Sequence, residues 1–285
     1  MMTSRQVSPH LLPPWKRYIA IGDSFTEGLI DPRDTQRSDS PMLGWADRLA
    51  FELSRRRMLA GASSLSYANL AVRGRLIHSI RTQQFPEALA LRPDLLSIVA
   101  GGNDLLRPFA SPDAIAEQLE SMVVRAISAG ADVLLCTSVD PLGSPFLQRT
   151  RSHVATLNAH IWSIARRRGC FVVDQWGLRS LKQVRMWADD RLHPSSDGHR
   201  VIADAALVAL GVPPTNPHYA APPSQRERYT VEQTIHWSRH HFAPWLLRRL
   251  KHQSSGDGRH AKRARPVQID ALSKTLSQAM QESAQ

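Results

Sequence analysis

Five residues spread along the chain could together carry out acyl transfer: Ser24, Gly74, Asn103, Asp190 and His193. Ser24 sits in YIAIGDSFTEG, Gly74 in NLAVRG, Asn103 in GGND, and the Asp190 and His193 pair in DRLHPSSDGH. A serine hydroxyl is a poor nucleophile until a base removes its proton, and a histidine within hydrogen-bond reach is the usual base. His193 is the candidate. Such a base needs its tautomer and ring orientation fixed by an acceptor on the other nitrogen, a role open to Asp190 three residues earlier. Attack on an ester carbonyl generates an oxyanion, and the Ser24 N–H, the Gly74 N–H and the Asn103 side-chain amide can supply three donors to it. Each fragment alone has a plainer meaning. Gly, Asp and Ser build ordinary turns, Gly74 alone is a turn glycine, and Asn103 alone is a turn cap.

The fragments matter only if the fold delivers them to one place. Short β-rich runs occur at 17–24, 66–72, 95–104, 132–139 and 170–176, each too short for a helix. Between them lie GWADRLAFELSRRR, IHSIRTQQFPEALA, SPDAIAEQLESMVVRAISAG and PFLQRTRSHVATLNAHIWSIARRRG, with apolar residues three and four apart, and a last helix is expected over about 195–210. Ser111, Pro112 and Gly130 mark the start and stop of the third helix. Alternating strands and helices predict a parallel sheet covered on both faces. In such sheets ligands sit beyond the carboxyl ends of the strands, where Ser24, Gly74 and Asn103 fall.

Taken in order, these blocks resemble the SGNH (GDSL-type) hydrolase family, whose serine, glycine, asparagine and histidine match Ser24, Gly74, Asn103 and His193. The resemblance covers about residues 17–211. It implies a flavodoxin-like three-layer α/β/α sandwich with a five-stranded parallel sheet. It also implies esterase, lipase, thioesterase or carbohydrate-deacetylase chemistry through an acyl-enzyme on Ser24, with no cofactor and no metal. The chain lacks the G-x-S-x-G of an α/β-hydrolase elbow and the G-K-[ST] ending of a phosphate-binding loop. Asp23 is expected to hold the serine loop and Asp104 to play a structural part. His193, Asp197 and His199 invite a zinc reading, which the expected placement of His199 on another helix face opposes.

Other residues near the blocks admit two readings. Arg73, Arg75 and Arg107 could orient an acidic substrate group or be solvated surface side chains. Trp45, Phe109 and Trp187 could line a pocket or belong to the core. The run at 31–44 is expected to rim the site.

Composition sets the remaining bounds. Of the 285 residues, 42% are hydrophobic, enough for a large core without staples, and Cys136 and Cys170 lie in apolar runs as small hydrophobes. No secretory leader or bilayer-length run is evident, so a soluble, cytoplasmic protein is expected. The organisation reads as an N-terminal lead (1–16), a hydrolase domain (17–215) and a basic Pro/Arg-rich C-terminal extension (216–285). The extension carries 11 basic and 5 acidic side chains, more than half of the net charge of +11. Within it KHQSSGDGRHAKRARP is expected to be disordered and IDALSKTLSQAMQ to form a short helix. Its aromatics, Trp237, Phe242 and Trp245, either pack back on the domain or, with the arginines, make a weak contact with a membrane surface or nucleic acid. A small-molecule ester is the expected substrate. The competing reading is a non-catalytic scaffold of the same fold whose basic tail engages anionic lipid or nucleic acid.

Overall fold

A computed structural model describes residues 12–31, 42–141, 147–222, 229–242 and 256–271. Strands β1 (Arg17–Ile21), β2 (Leu65–Asn69), β3 (Leu95–Ile98), β4 (Asp132–Cys136) and β5 (Phe171–Val173) form within or beside the predicted runs and pair in parallel. With β6 (Arg263–Ile269) the sheet order is β5-β4-β3-β1-β2-β6. Leaving aside β6, this is the flavodoxin-like order. The chain steps outward from β1 to β2 and then returns past β1 to β3, which opens a crevice between the loops after β1 and β3.

The helices are α1 (Ser24–Glu27), α2 (Trp45–Leu59), α3 (Ile77–Ser79), α4 (Phe85–Ala90), α5 (Gly102–Leu105), α6 (Pro112–Ser128), α7 (Arg151–Arg168), α8 (Ser196–Ala209) and α9 (Val231–Trp237). A π-turn, Ile80–Gln84, joins α3 to α4, so the predicted helix over 77–90 is continuous but locally widened. Ser111 caps α6 by accepting the Ala114 N–H at 3.2 Å. Along β1 the side chains alternate. Tyr18 and Ala20 join Trp45, Leu49 and Leu53 of α2 and Ile202 and Leu207 of α8, while Ile19 and Ile21 join Phe85 of α4, Leu119 of α6 and Leu157 of α7. That period of two gives the three layers directly. Each fully buried Leu or Ile stabilises the fold by roughly 1.5–3 kcal/mol. Among the described residues no helix is long and apolar enough to cross a membrane.

Two expectations about the end of the chain need correction. The sheet has six strands rather than five, and part of the stretch expected to be disordered supplies the sixth. Arg263–Ile269 pairs antiparallel with β2, covering backbone groups that would otherwise form an open sheet edge. Ser54 of α2 stitches the pair: its Oγ accepts the Leu65 N–H at 2.9 Å and donates to the Ile269 carbonyl. Pro266 is tolerated because β6 is an edge strand and its register shifts opposite the span from Tyr67 to Asn69. The rim residues 32–41, Pro244, Trp245 and the expected helix beyond residue 271 lie outside the described residues.

Candidate active site

The serine turn is built by close approach of backbone. Gly22, at the end of β1, has φ 153°, and a Cβ there would come within 2.6 Å of the Val99 carbonyl oxygen and 2.8 Å of Thr26 Oγ1. Gln84, the last residue of the π-turn, grips this glycine from both sides. Its Oε1 accepts the Gly22 N–H at 2.8 Å and its Nε2 donates to the Gly22 carbonyl at 2.9 Å. Asp23 then caps α1 by accepting the Phe25 N–H at 3.1 Å, and Asn69 Nδ2 donates to Thr26 O at 2.8 Å. Ser24 occupies the first position of α1, where backbone N–H groups have no carbonyl partner within the helix.

From the other end of the domain, the turn before α8 brings in Asp190 and His193. Asp190 Oδ1 accepts the N–H groups of Leu192 and His193, both at 3.0 Å, which leaves Oδ2 to meet His193 Nδ1 at 2.6 Å. His193 Nε2 lies 2.8 Å from Ser24 Oγ. With Nδ1 donating to the carboxylate, Nε2 is the acceptor for the serine hydroxyl. Burial opposes the charge on Asp190, but the hydrogen bonds and charge of His193, helped by the two backbone donors, hold its carboxyl below the ordinary carboxylate range.

The two loops expected to carry oxyanion donors adjoin this chain. Gly74 has φ 72°, the left-handed region, in the turn between β2 and α3. Asn103, in α5, donates through Nδ2 to Asp23 Oδ2 at 3.1 Å and to the Arg75 carbonyl at 3.2 Å. Asp104 accepts the Ile77 N–H at 3.0 Å, joining this loop to the start of α3. Burial pushes the Asp23 carboxyl up to about 6, with the Phe25 N–H and the nearby His193 pulling the other way.

Several flanking residues divide between the readings open to them. Arg73 is held by Glu27 of α1: its guanidinium pairs with both carboxylate oxygens and its N–H donates to Oε2 at 2.6 Å. That clamp joins the serine turn to the Gly74 loop and removes Arg73 as a free anchor for substrate. Arg107 is exposed. Trp45 is fully buried core, Phe109 is fully exposed, and Trp187 donates to the Leu181 carbonyl at 2.7 Å. Asp197 pairs with Arg200 at 2.6 Å, and buried His199 accepts the Trp45 N–H at Nδ1, 3.2 Å away; among the described residues no three His, Cys, Asp or Glu side chains gather as a metal site would need. Gln84 and Glu27 went unread in the sequence. An amide in a helix and an acid after a turn carry no local mark of the long-range contacts they make.

A sequence model of the GDSL-like Lipase/Acylhydrolase family matches residues 20–201. The chain belongs to this family. Membership makes it an esterase-type enzyme, and the match takes in Ser24, Gly74, Asn103, Asp190 and His193. The fold of this GDSL-like hydrolase is shared by LAE5, an alpha/beta hydrolase enzyme from the metagenome of Lake Arreo, Spain, with 24% identity, a TM-score of 0.57, and coverage of 72% of this chain and 98% of that one. It is also similar to Axe2, an acetylxylan esterase from Geobacillus stearothermophilus, with 20% identity, a TM-score of 0.58, and coverage of 74% and 97%. TesA gives 22% identity, a TM-score of 0.53, and coverage of 68% and 97%. No curated protein matches the chain in sequence. These structures are covered almost end to end, while about a quarter or more of the GDSL-like chain lies outside each superposition.

Proposed function

We propose that this GDSL-like enzyme cleaves carboxylic esters through an acyl-enzyme on Ser24, with His193 as base and Asp190 orienting it. The observation that carries the reading is the continuous chain from Ser24 Oγ to His193 Nε2 at 2.8 Å and from His193 Nδ1 to Asp190 Oδ2 at 2.6 Å. His193 takes the hydroxyl proton as Ser24 Oγ bonds to the ester carbonyl carbon. Asp190 stabilises the resulting imidazolium without itself becoming protonated.

The oxyanion is received by the N–H groups of Ser24 and Gly74 and by Asn103 Nδ2. In the free protein both Asn103 hydrogens have partners, Asp23 and the Arg75 carbonyl, and one of these bonds yields to the oxyanion. His193 then protonates the leaving alkoxide as the carbon–oxygen bond breaks. A water molecule, deprotonated by the same imidazole, attacks the acyl-serine and releases the acid.

The substrate is a small carboxylic ester. Axe2 acts on acetylated xylan by its name, and an acetyl ester is the first candidate to test. The deciding experiment treats the full chain with a fluorophosphonate probe beside Ser24→Ala. Labelling that depends on Ser24 supports the reading, and labelling of both proteins alike, or of neither, defeats it. Hydrolysis of acetyl, longer acyl, thioester and acetylated-sugar substrates by the labelled enzyme then gives the acyl range.

A further inference from the structure

The family match ends at residue 201, yet residues beyond 228 hold both halves of the site. On the acid–base side, Trp237 of α9 is buried and its Nε1–H donates to the Asp190 carbonyl at 2.7 Å. The next residue, Arg191, is left-handed at φ 56°, uncommon for a non-glycine residue, in a turn closed by its N–H on the Ala188 carbonyl at 2.9 Å. The partners of its side chain come from the C-terminal segment. The Arg191 guanidinium lies 3.5 Å from the ring centre of Tyr229 and 5.3 Å from that of Trp237, donates to the Gln233 carbonyl at 2.8 Å, and reaches Thr234 Oγ1 at 3.3 Å.

On the serine side, the turn at Gly256 presses against the Gly74 loop so closely that a Cβ there would lie 1.9 Å from the Arg73 carbonyl oxygen. Six residues on, Lys262 turns its ammonium inward to three acceptors: the Glu27 carbonyl, the Met42 carbonyl at 2.9 Å and the Asp47 carboxylate. Glu27 ends the short helix that Ser24 begins. Carbonyls at a helix C-terminus attract a cation, so Lys262 secures α1 at the end opposite the nucleophile.

We propose that two stretches, 229–242 and 256–271, are a working part of the active centre, Trp237 with Arg191 positioning the Asp190 and His193 turn and Lys262 positioning the Ser24 turn. Neither Trp237 nor Lys262 touches the reacting atoms; both are positioning residues that act through the groups they hold. The serine and the histidine stand on elements far apart in sequence, and their single hydrogen bond depends on where each turn sits. A displacement of about 1 Å at such a contact can lower turnover by about a hundredfold. The assignment rests on the ester-hydrolase reading for its kinetic test but not for its spectroscopic one.

The test compares full-length parent, Trp237→Phe and Lys262→Gln. Trp237→Phe keeps an aromatic ring for Arg191 and removes the indole donor to Asp190. Turnover of p-nitrophenyl acetate should show kcat lowered about tenfold or more in each variant, with KM within about twofold and circular dichroism unchanged. In parallel, the downfield proton of the hydrogen bond between His193 and Asp190 should be sharp in the parent and broadened in Trp237→Phe. A folded variant whose kcat stays within about twofold of the parent overturns the role given to that residue. Should Lys262→Gln fail to fold, Trp237→Phe decides by itself. If the parent turns over no ester and resists the fluorophosphonate, the hydrolase reading fails; the proton resonance still decides the brace, and an unaltered signal in Trp237→Phe overturns it.

Discussion

The side-chain amide of Asn103 stands 3.1 Å from Oδ2 of Asp23, a carboxyl buried beside the serine turn. Burial raises Asp23 from 3.8 to about 6, so the folded state binds its proton more tightly than the unfolded chain does. The resulting stabilisation is complete below the unfolded value and is lost as pH rises through about 6. Above that, ionised Asp23 contributes about 3 kcal/mol less to stability than the protonated group does at low pH. Asp23→Asn should therefore gain stability relative to the parent at pH 8, by up to about that amount, and show little gain at pH 4. Urea unfolding at the two pH values checks this. An equal difference at both would exclude a buried titration as its source.

Asp190→Asn tests the orientation of His193. The substituted amide can present a donor to Nδ1, favouring the tautomer with its proton on Nε2, which cannot accept from Ser24. By comparison with serine triads in general, kcat should fall by about a thousandfold to ten-thousandfold with KM little changed. Steady-state kinetics on p-nitrophenyl acetate measure it, and a loss below tenfold would mean that Asp190 does little for the base.

Gly22→Ala places a methyl group against the Val99 carbonyl and Thr26 Oγ1 in a backbone conformation that alanine rarely adopts. We expect a loss of about 2 kcal/mol or more in urea unfolding. Because Gln84 grips the same peptide groups, the strain should move the serine turn, and Ser24-dependent fluorophosphonate labelling should slow. Stability and labelling rate both equal to those of the parent would contradict the close packing described.

Ser54→Ala removes the hydroxyl that joins β2 to β6. The Leu65 N–H and the Ile269 carbonyl each lose a partner in a buried position, for an expected destabilisation of about 1–3 kcal/mol. Denaturant titration provides the number, and hydrogen exchange at Ile269 and its neighbours should accelerate more than exchange in β3.

The legible parts of this chain were those whose chemistry and position are both local. Ser24 follows a short β-run and Asp190 precedes His193 by three positions; each fragment alone has a plainer meaning, and the order of the blocks at successive strand ends gave them weight. The covering of the sheet on two faces followed from the alternation of short β-rich runs with helical stretches. What stayed hidden depends on pairs distant in sequence. Arg73 stayed open between a substrate anchor and a solvated surface side chain because Glu27, its partner, lies 46 positions earlier. The run RARPVQI reads as basic and proline-broken, and becomes a strand only because Leu65–Asn69 offers it an unpaired edge. Trp237 was a surface-or-core ambiguity until its indole donor found the Asp190 carbonyl.

The late strand also bears on how the molecule is made. A chain emerges from the ribosome N-terminus first, so β2 is complete long before its antiparallel neighbour, and the Ser54 link to Ile269 closes over 215 positions. During that interval the nascent domain carries a sticky margin, open to a chaperone or to another nascent chain. Lys262 comes immediately before the seven residues of β6, so the same short piece of translation shields the margin and delivers the ammonium to the serine helix.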